Sequence, residues 1–248
     1  MKTELIINKK KYKVDLSKPI DISIPLTNKS KSLLAFGAEP MLIDPVVDGK
    51  WIGDTKKGGP VNFKKVMFSP HGNGTHTECI GHITKRTHTI NTLFNKSFSL
   101  AELISLTPEK ANQDRVITKK IIEKNLSFKT DTVVLRTLPN SPSKRTKNYT
   151  NTNPTYLHHT AAQLLNDKNI KHLLVDLPSV DKESDGGAIL SHKAYWGYPK
   201  NKRKDAFITE LVYIPNEVLD GLYLINTQIA PFELDVSPSK PILFKILN

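Results

Sequence analysis

The sequence predicts an α/β fold: one large domain of 248 residues built on a mixed central β-sheet. Three observations predict it. Strand-like and helix-like segments alternate through the middle of the chain. A strand–helix–strand run over residues 131–177 has the length of a parallel βαβ unit, whose crossover is expected to be right-handed. Further strand signals lie at both ends, and no internal repeat, low-complexity block or linker divides them.

The elements follow in order. Ile20, Ile22, Ile24 and Leu26 alternate with other residues from Pro19 onward, the period of a half-buried strand. Residues 28–60 are rich in glycine and proline and read as loop. Val61 to Phe68 is a second strand. Leu100 to Ser105 and Thr118 to Leu126 carry helical patterns. Asp131 to Leu138 is a strand by its Val133-Val134-Leu135 run. Asn140 to Pro154 is polar and reads as an exposed loop. His158 to Asn166 is a helix with Ala161, Ala162, Leu164 and Leu165 on its apolar face, and Leu173 to Leu177 is a buried strand. Phe207 to Tyr213, Gly221 to Ile229 and Pro241 to Leu247 complete the strands.

Composition excludes several classes. Hydrophobic residues make up 38% and charged residues 24%, enough apolar content for a core and too much for a disordered chain. No apolar run approaches the roughly 18 residues of a membrane span, and the start holds no secretory h-region, so the expectation is a cytoplasmic protein with no membrane partner. The single cysteine, Cys79, rules out an internal disulfide and a cysteine-rich zinc site. The net charge of +12 raises the question of nucleic acid, but the lysines are spread along the chain and only five residues are arginine. A lysine-coated surface without nucleic-acid binding is therefore expected, with a field that draws acidic small molecules.

Chemistry concentrates in His71-Gly72-Asn73-Gly74-Thr75-His76-Thr77-Glu78-Cys79-Ile80-Gly81-His82. Glycines at 72, 74 and 81 argue against a helix. If the segment after Gly74 is extended, His76, Glu78, Ile80 and His82 share one face. Gly72-Asn73-Gly74 then turns His71 back toward it through positive φ. Neutral imidazoles converging with a carboxylate suit Zn²⁺, Mn²⁺ or a similar divalent ion. Cys79 alternates away from that face and reads as packing. His88 and His172 read as structural, and the His158-His159 pair is undecided.

These residues resemble the cyclase, or kynurenine-formamidase-like, family of metal-dependent hydrolases. Gly74-Thr75-His76 matches the family motif, and His82 follows at the family spacing. Glu78 stands where aspartate is usual, Ile80 where proline is usual, and His71 lies one residue farther out. The likeness continues through Asp21 to Leu26, Val133 to Thr137, Asp176-Leu177-Pro178-Ser179-Val180-Asp181, Leu190-Ser191-His192 and Thr209-Glu210-Leu211. It implies a swivelling β/β/α-like domain with one or two divalent ions, Zn or Mn. It implies His71, His76 and Glu78 as ligands of one ion, Glu78 bridging to a second, and His192 and Glu210 completing that second position. Glu210 has a competing reading as an exposed strand carboxylate, because Gly197 to Asp205 is a lysine-rich insertion that lengthens its spacing from His192.

The resemblance further implies His82 as the proton shuttle, and an unperturbed imidazole pKa near ~6.5 fits that work. Asp176 and Asp181 either orient the ligands or close a strand-end turn with Pro178 and Ser179. The expected reaction is cleavage of a C–N bond in a formyl-aryl amide or a cyclic amide by a metal-bound hydroxide. That activity is arylformamidase-like, within a family that reaches into tryptophan catabolism. A homodimer or homotetramer is expected by the same resemblance. Trp51, Tyr156, Tyr195, Trp196 and Tyr198 either stack on an aromatic substrate or pack the domain. Two alternatives stand beside the enzyme: a non-catalytic metal-binding protein and a basic nucleic-acid-binding protein.

Overall fold

The computed structural model describes residues 1–7, 9–29, 31–127 and 129–247. The expected single-domain α/β architecture with a mixed sheet is present. Four parallel strands stand side by side, in the order Phe98–Leu106, Thr132–Thr137, His172–Val175 and Phe207–Glu210. Gly221–Ile229 pairs antiparallel with the first of them, and Val236–Leu247 pairs antiparallel with Gly221–Ile229. The short strand His76–Glu78 pairs with Phe207–Glu210 on one side and with the beginning of Val236–Leu247 on the other. The sheet thereby closes into a ring of seven strands, and the hairpin Lys2–Ile7 and Lys10–Asp15 extends it beyond the end of Val236–Leu247. Closure leaves no bare edge beside His76–Glu78.

The two faces of the ring carry separate cores. Ala101, Leu103, Val134, Leu174, Tyr223, Ile225 and Leu243 point inward and meet Ile22, Val212 and Ile214. The alternate residues Ile104, Leu106, Val133, Leu135, Leu173, Val175 and Ile208 point outward, against Ile122, Ala161, Ala162, Leu165, Tyr195 and Trp196. The strands Thr132–Thr137 and His172–Val175 are thus buried on both faces. That accounts for their continuous apolar runs.

Several expectations are corrected. Leu100 to Ser105 lies within the strand Phe98–Leu106, not a helix. A short apolar run buried on both sides carries no period that separates the two. The glycine-rich stretch before His76 does contain a helical turn, Pro70–Asn73, which aims His71 without positive φ at Gly74 (φ 172°). Gly72 is required for a different reason: a Cβ there would lie 2.3 Å from Cβ of Ala38. The strand ends at Glu78, and a 3₁₀ turn, Ile80–Ile83, carries His82. Within 28–60, residue 30 lies outside the described residues. Elsewhere Leu42–Pro45 pairs with Lys64–Met67, so part of the expected loop and part of the expected 61–68 strand form a two-stranded arm. At Pro19 to Leu26 only Ile20–Asp21 is paired as strand, although the alternating burial continues through Ile22 and Ile24.

The helix His159–Asp167 buries the four predicted apolar residues and is capped by the His158 imidazole, which accepts from Thr160 N. Lys119–Asn125 is capped by Thr118. A helix without a sequence prediction, Leu190–Trp196, begins after an Asp185-Gly186-Gly187 turn and ends at Gly197, whose φ of 64° suits glycine. Among the described residues, no helix is long and apolar enough to cross a membrane.

Candidate metal centre

The site forms on the outer, helix-covered face, where the His76–Glu78 strand meets the C-terminal end of Phe207–Glu210. Register sets it: His76 lies opposite Glu210 and Glu78 opposite Ile208. The period of two puts His76, Glu78 and Glu210 on one face, with Thr77 and Thr209 turned to the ring interior. The helix Leu190–Trp196 lays His192 over the carboxylates.

His192 Nε2 stands 3.0 Å from Glu78 Oε1 and 3.8 Å from Glu210 Oε1. His76 Nε2 stands 3.4 Å from Glu210 Oε2. His71 Nδ1 is 3.6 Å and His82 Nε2 3.8 Å from Glu78 Oε2. All six predicted residues of the cluster therefore come together. His76, Glu78, His192 and Glu210 are buried, whereas His71 and His82 are about 30% exposed at the side chain and form the open rim.

The supports are specific. His76 Nδ1–H donates to the Gly74 carbonyl at 2.9 Å, which leaves Nε2 of the neutral ring with its lone pair facing the cluster. Asp181 takes Ser191 N and His192 N, two amides of the helix's first turn, and accepts from His192 Nδ1 at 2.6 Å. One carboxylate thus caps the helix and fixes its histidine. Glu210 Oε1 accepts from Val180 N at 2.9 Å. Asp176, the other carboxylate of that segment, bonds Thr137 N, Thr137 Oγ1 and Lys144 Nζ. None of its hydrogen bonds reaches the cluster, so it ties neighbouring strand ends together and makes no contact that would orient a ligand.

Asp235 was not foreseen. Its Oδ2 accepts from His71 Nε2 at 3.2 Å and His82 Nδ1 at 3.1 Å. It lies 164 residues from His71 in the chain, within Phe232-Glu233-Leu234-Asp235, where nothing local distinguishes it from a surface acid.

Electrostatics reflect this crowding. Burial works to raise the Glu78 carboxyl, but His82, His192 and His71 hold it well below its usual range. Burial would lower His192, yet Glu78 and Asp181 bring it well above an ordinary imidazole. His82 is also raised, by Glu78 and Asp235 acting against burial. Asp235 is held far down by its two imidazole partners. Cys79 is fully buried and its thiol is pushed up to about 11 by that burial, which makes it packing rather than a nucleophile.

A divalent cation fits this donor set. His76 Nε2 and Glu78 Oε2 are buried and without a hydrogen bond, an arrangement that leaves two lone-pair donors aimed at one space. His71, His76 and Glu78 offer donor atoms within 4.8 Å of one another, as do Glu78, His82 and His192. Glu78 offers Oε1 to His192 and Oε2 toward His71 and His82, and Glu210 stands near both His76 and His192.

Of the aromatic residues considered for stacking, Tyr195 and Trp196 are fully buried in the outer core. Tyr156 bonds Asp114, and Trp51 meets the Phe63 ring edge-on.

The chain belongs to the putative cyclase family, whose model matches residues 14–182. Solved structures of the same fold include one described as a predicted metal-dependent hydrolase from Bacillus stearothermophilus. It is 18% identical over 92% of this chain and 98% of that one, with a TM-score of 0.64. An isatin hydrolase bound to the product analogue thioisatinate is 13% identical over 93% of each chain, with a TM-score of 0.67. Isatin hydrolase A from Labrenzia aggregata, bound to benzyl benzoate, is 10% identical over 92% of this chain and 93% of that one, with a TM-score of 0.64. No curated protein sequence matches the chain.

Proposed function

We propose that the protein is a metal-dependent amidohydrolase that opens the C–N bond of a cyclic amide or a formyl-aryl amide. The observation that carries this is the pair of buried donors without a hydrogen bond, His76 Nε2 and Glu78 Oε2, beside a histidine held at the rim by a carboxylate. Family membership and the isatin hydrolases among structures of this fold support amide C–N hydrolysis as the reaction class.

His71, His76 and Glu78 would hold one ion, Zn or Mn, and His192 and Glu210 would serve a second. A divalent ion bound there lowers the pKa of water toward ~7 and polarises a carbonyl oxygen. The chain's own residues do the rest. Asp235 takes Nδ1–H of His82, which leaves Nε2 facing the cluster. His82 accepts the proton of the attacking water at Nε2 and returns it to the leaving nitrogen. Asp235 also steadies His71, so the rim ligand and the proton carrier share one anchor. Asp181 keeps His192 Nε2 turned toward Glu78.

The test is metal analysis of the purified protein, with hydrolysis of N-formyl anilides and cyclic amides by wild type and His82→Ala. The reading requires bound divalent metal, turnover of one class, and a loss of about 10²–10⁴-fold in the variant. Metal retained with no turnover of either class would leave a binding protein. Undiminished turnover in His82→Ala would remove the proton carrier.

A further inference from the structure

The candidate site leaves most of the charge of +12 unexplained, and the lysine-rich insertion after His192 has no part in it. The loop over residues 84–88 leaves the 3₁₀ turn that carries His82, and residues 198–204 leave the helix that carries His192. The two segments face one another across a cleft of about 340 Å³. Lys85, Arg86, His88, Tyr198, Lys202 and Lys204 line it, and among the described residues no carboxylate does.

The backbone fixes this convergence. Gly81 lies so close to the loop that a Cβ on it would stand 2.1 Å from the His88 carbonyl, and Cys79 Sγ reaches the same oxygen at 3.5 Å. On the other side Arg203 turns inward. It donates to the carbonyls of Tyr195 and Ile170 and its backbone N–H to Trp196 O, and its guanidinium lies over the Tyr195 ring. With Arg203 pinned, its neighbours Lys202 and Lys204 line the cleft, Lys202 Nζ lying 5.5 Å over the Tyr198 ring. The neighbouring acid, Asp205, is engaged by Lys171 instead. His88 registers the crowding: burial, then Lys204, Arg86 and Lys202, hold its pKa below the usual imidazole value. Like charges held together by anchored backbone are stabilised by an anion between them.

We infer that this cleft is an oxyanion-binding site for a phosphate-class dianion, either the free ion or a phosphomonoester. Arg86 supplies a planar fork for two oxygens and the lysines supply point charges around the rest. The site is separate from the metal donors, so it stands or falls independently of the proposed hydrolysis.

The experiment is calorimetric titration of the purified protein with inorganic phosphate and with phenyl phosphate, before and after chelation. It compares wild type, Lys202→Ser/Lys204→Ser, and Lys119→Ser/Lys120→Ser, which removes the same charge from a remote helix. The expected result is saturable binding that survives chelation. It weakens at least tenfold in the 202/204 variant and stays within twofold of wild type in the 119/120 variant. Tighter binding of phenyl phosphate would assign a phosphomonoester, and equal binding the free ion. The inference is overturned by an absence of saturable binding, by loss on chelation, or by equal weakening in both variants.

Discussion

His172 gives the sharpest test of the closed ring. It begins the third parallel strand and shares the inward parity of Leu174. Its Nε2 meets Thr209 Oγ1 at 2.7 Å, and Thr209 meets Thr77 at 2.7 Å. Phe94 and Phe207 pack edge-on to its ring. Burial pushes its pKa down to about 3, with Asp131 opposing weakly. Folded His172 is therefore neutral across the range where the unfolded imidazole, near ~6.5, takes a proton. Because the unfolded state binds more protons between these values, stability is full above ~6.5 and falls as pH drops toward 3.

From pH 7 to pH 5 the loss attributable to this one group is about 2 kcal/mol, obtained by integrating the linkage between the two pKa values. Urea unfolding of wild type and His172→Gln at both pH values isolates it, since every other titrating group is common to the two proteins. The variant's pH-dependent loss should be smaller by that amount. An identical loss in both would mean that His172 is not held neutral inside the ring, and the assignment of the inner face would fail with it.

Other outcomes follow from the same geometry. Asp181→Asn removes the acceptor that turns His192 and caps its helix, so divalent-metal affinity measured by calorimetry should fall about 10–100-fold. Leu174→Ala opens a cavity in the fully buried inner core and should cost about 2–5 kcal/mol by chemical denaturation, with metal stoichiometry unchanged. Saturating Zn²⁺ or Mn²⁺ at a hundred times its dissociation constant should stabilise the fold by about 2.7 kcal/mol. Thermal unfolding with and without chelator reads that difference, and Glu78→Gln should abolish it.

How much was legible in the sequence depended on the range of the interaction involved. The His71–His82 segment disclosed its chemistry because three imidazoles and a carboxylate crowd into a few residues. The helix His159–Asp167 and the strands around Val134 and Leu174 were readable from period and apolar run. His192 and Glu210 could be matched only through resemblance, since neither has local company. Asp235, the shared partner of His71 and His82, gave no sign at all. Leu100 to Ser105 misled because a strand buried on both faces has no polar side to mark its period.

The sequence by itself thus determined which donor types exist, an α/β alternation, and a chain without an internal disulfide. Only the tertiary structure decided which donors meet. Ring closure sets His76 against Glu210, and a helix capped by Asp181 lowers His192 onto Glu78. It also decided that a carboxylate far along the chain anchors the rim. The physical reason is that side-chain type and local period are properties of neighbouring residues. Strand register and helix placement are instead set by cores assembled from the whole chain, and those fix donor atoms to within a few ångströms.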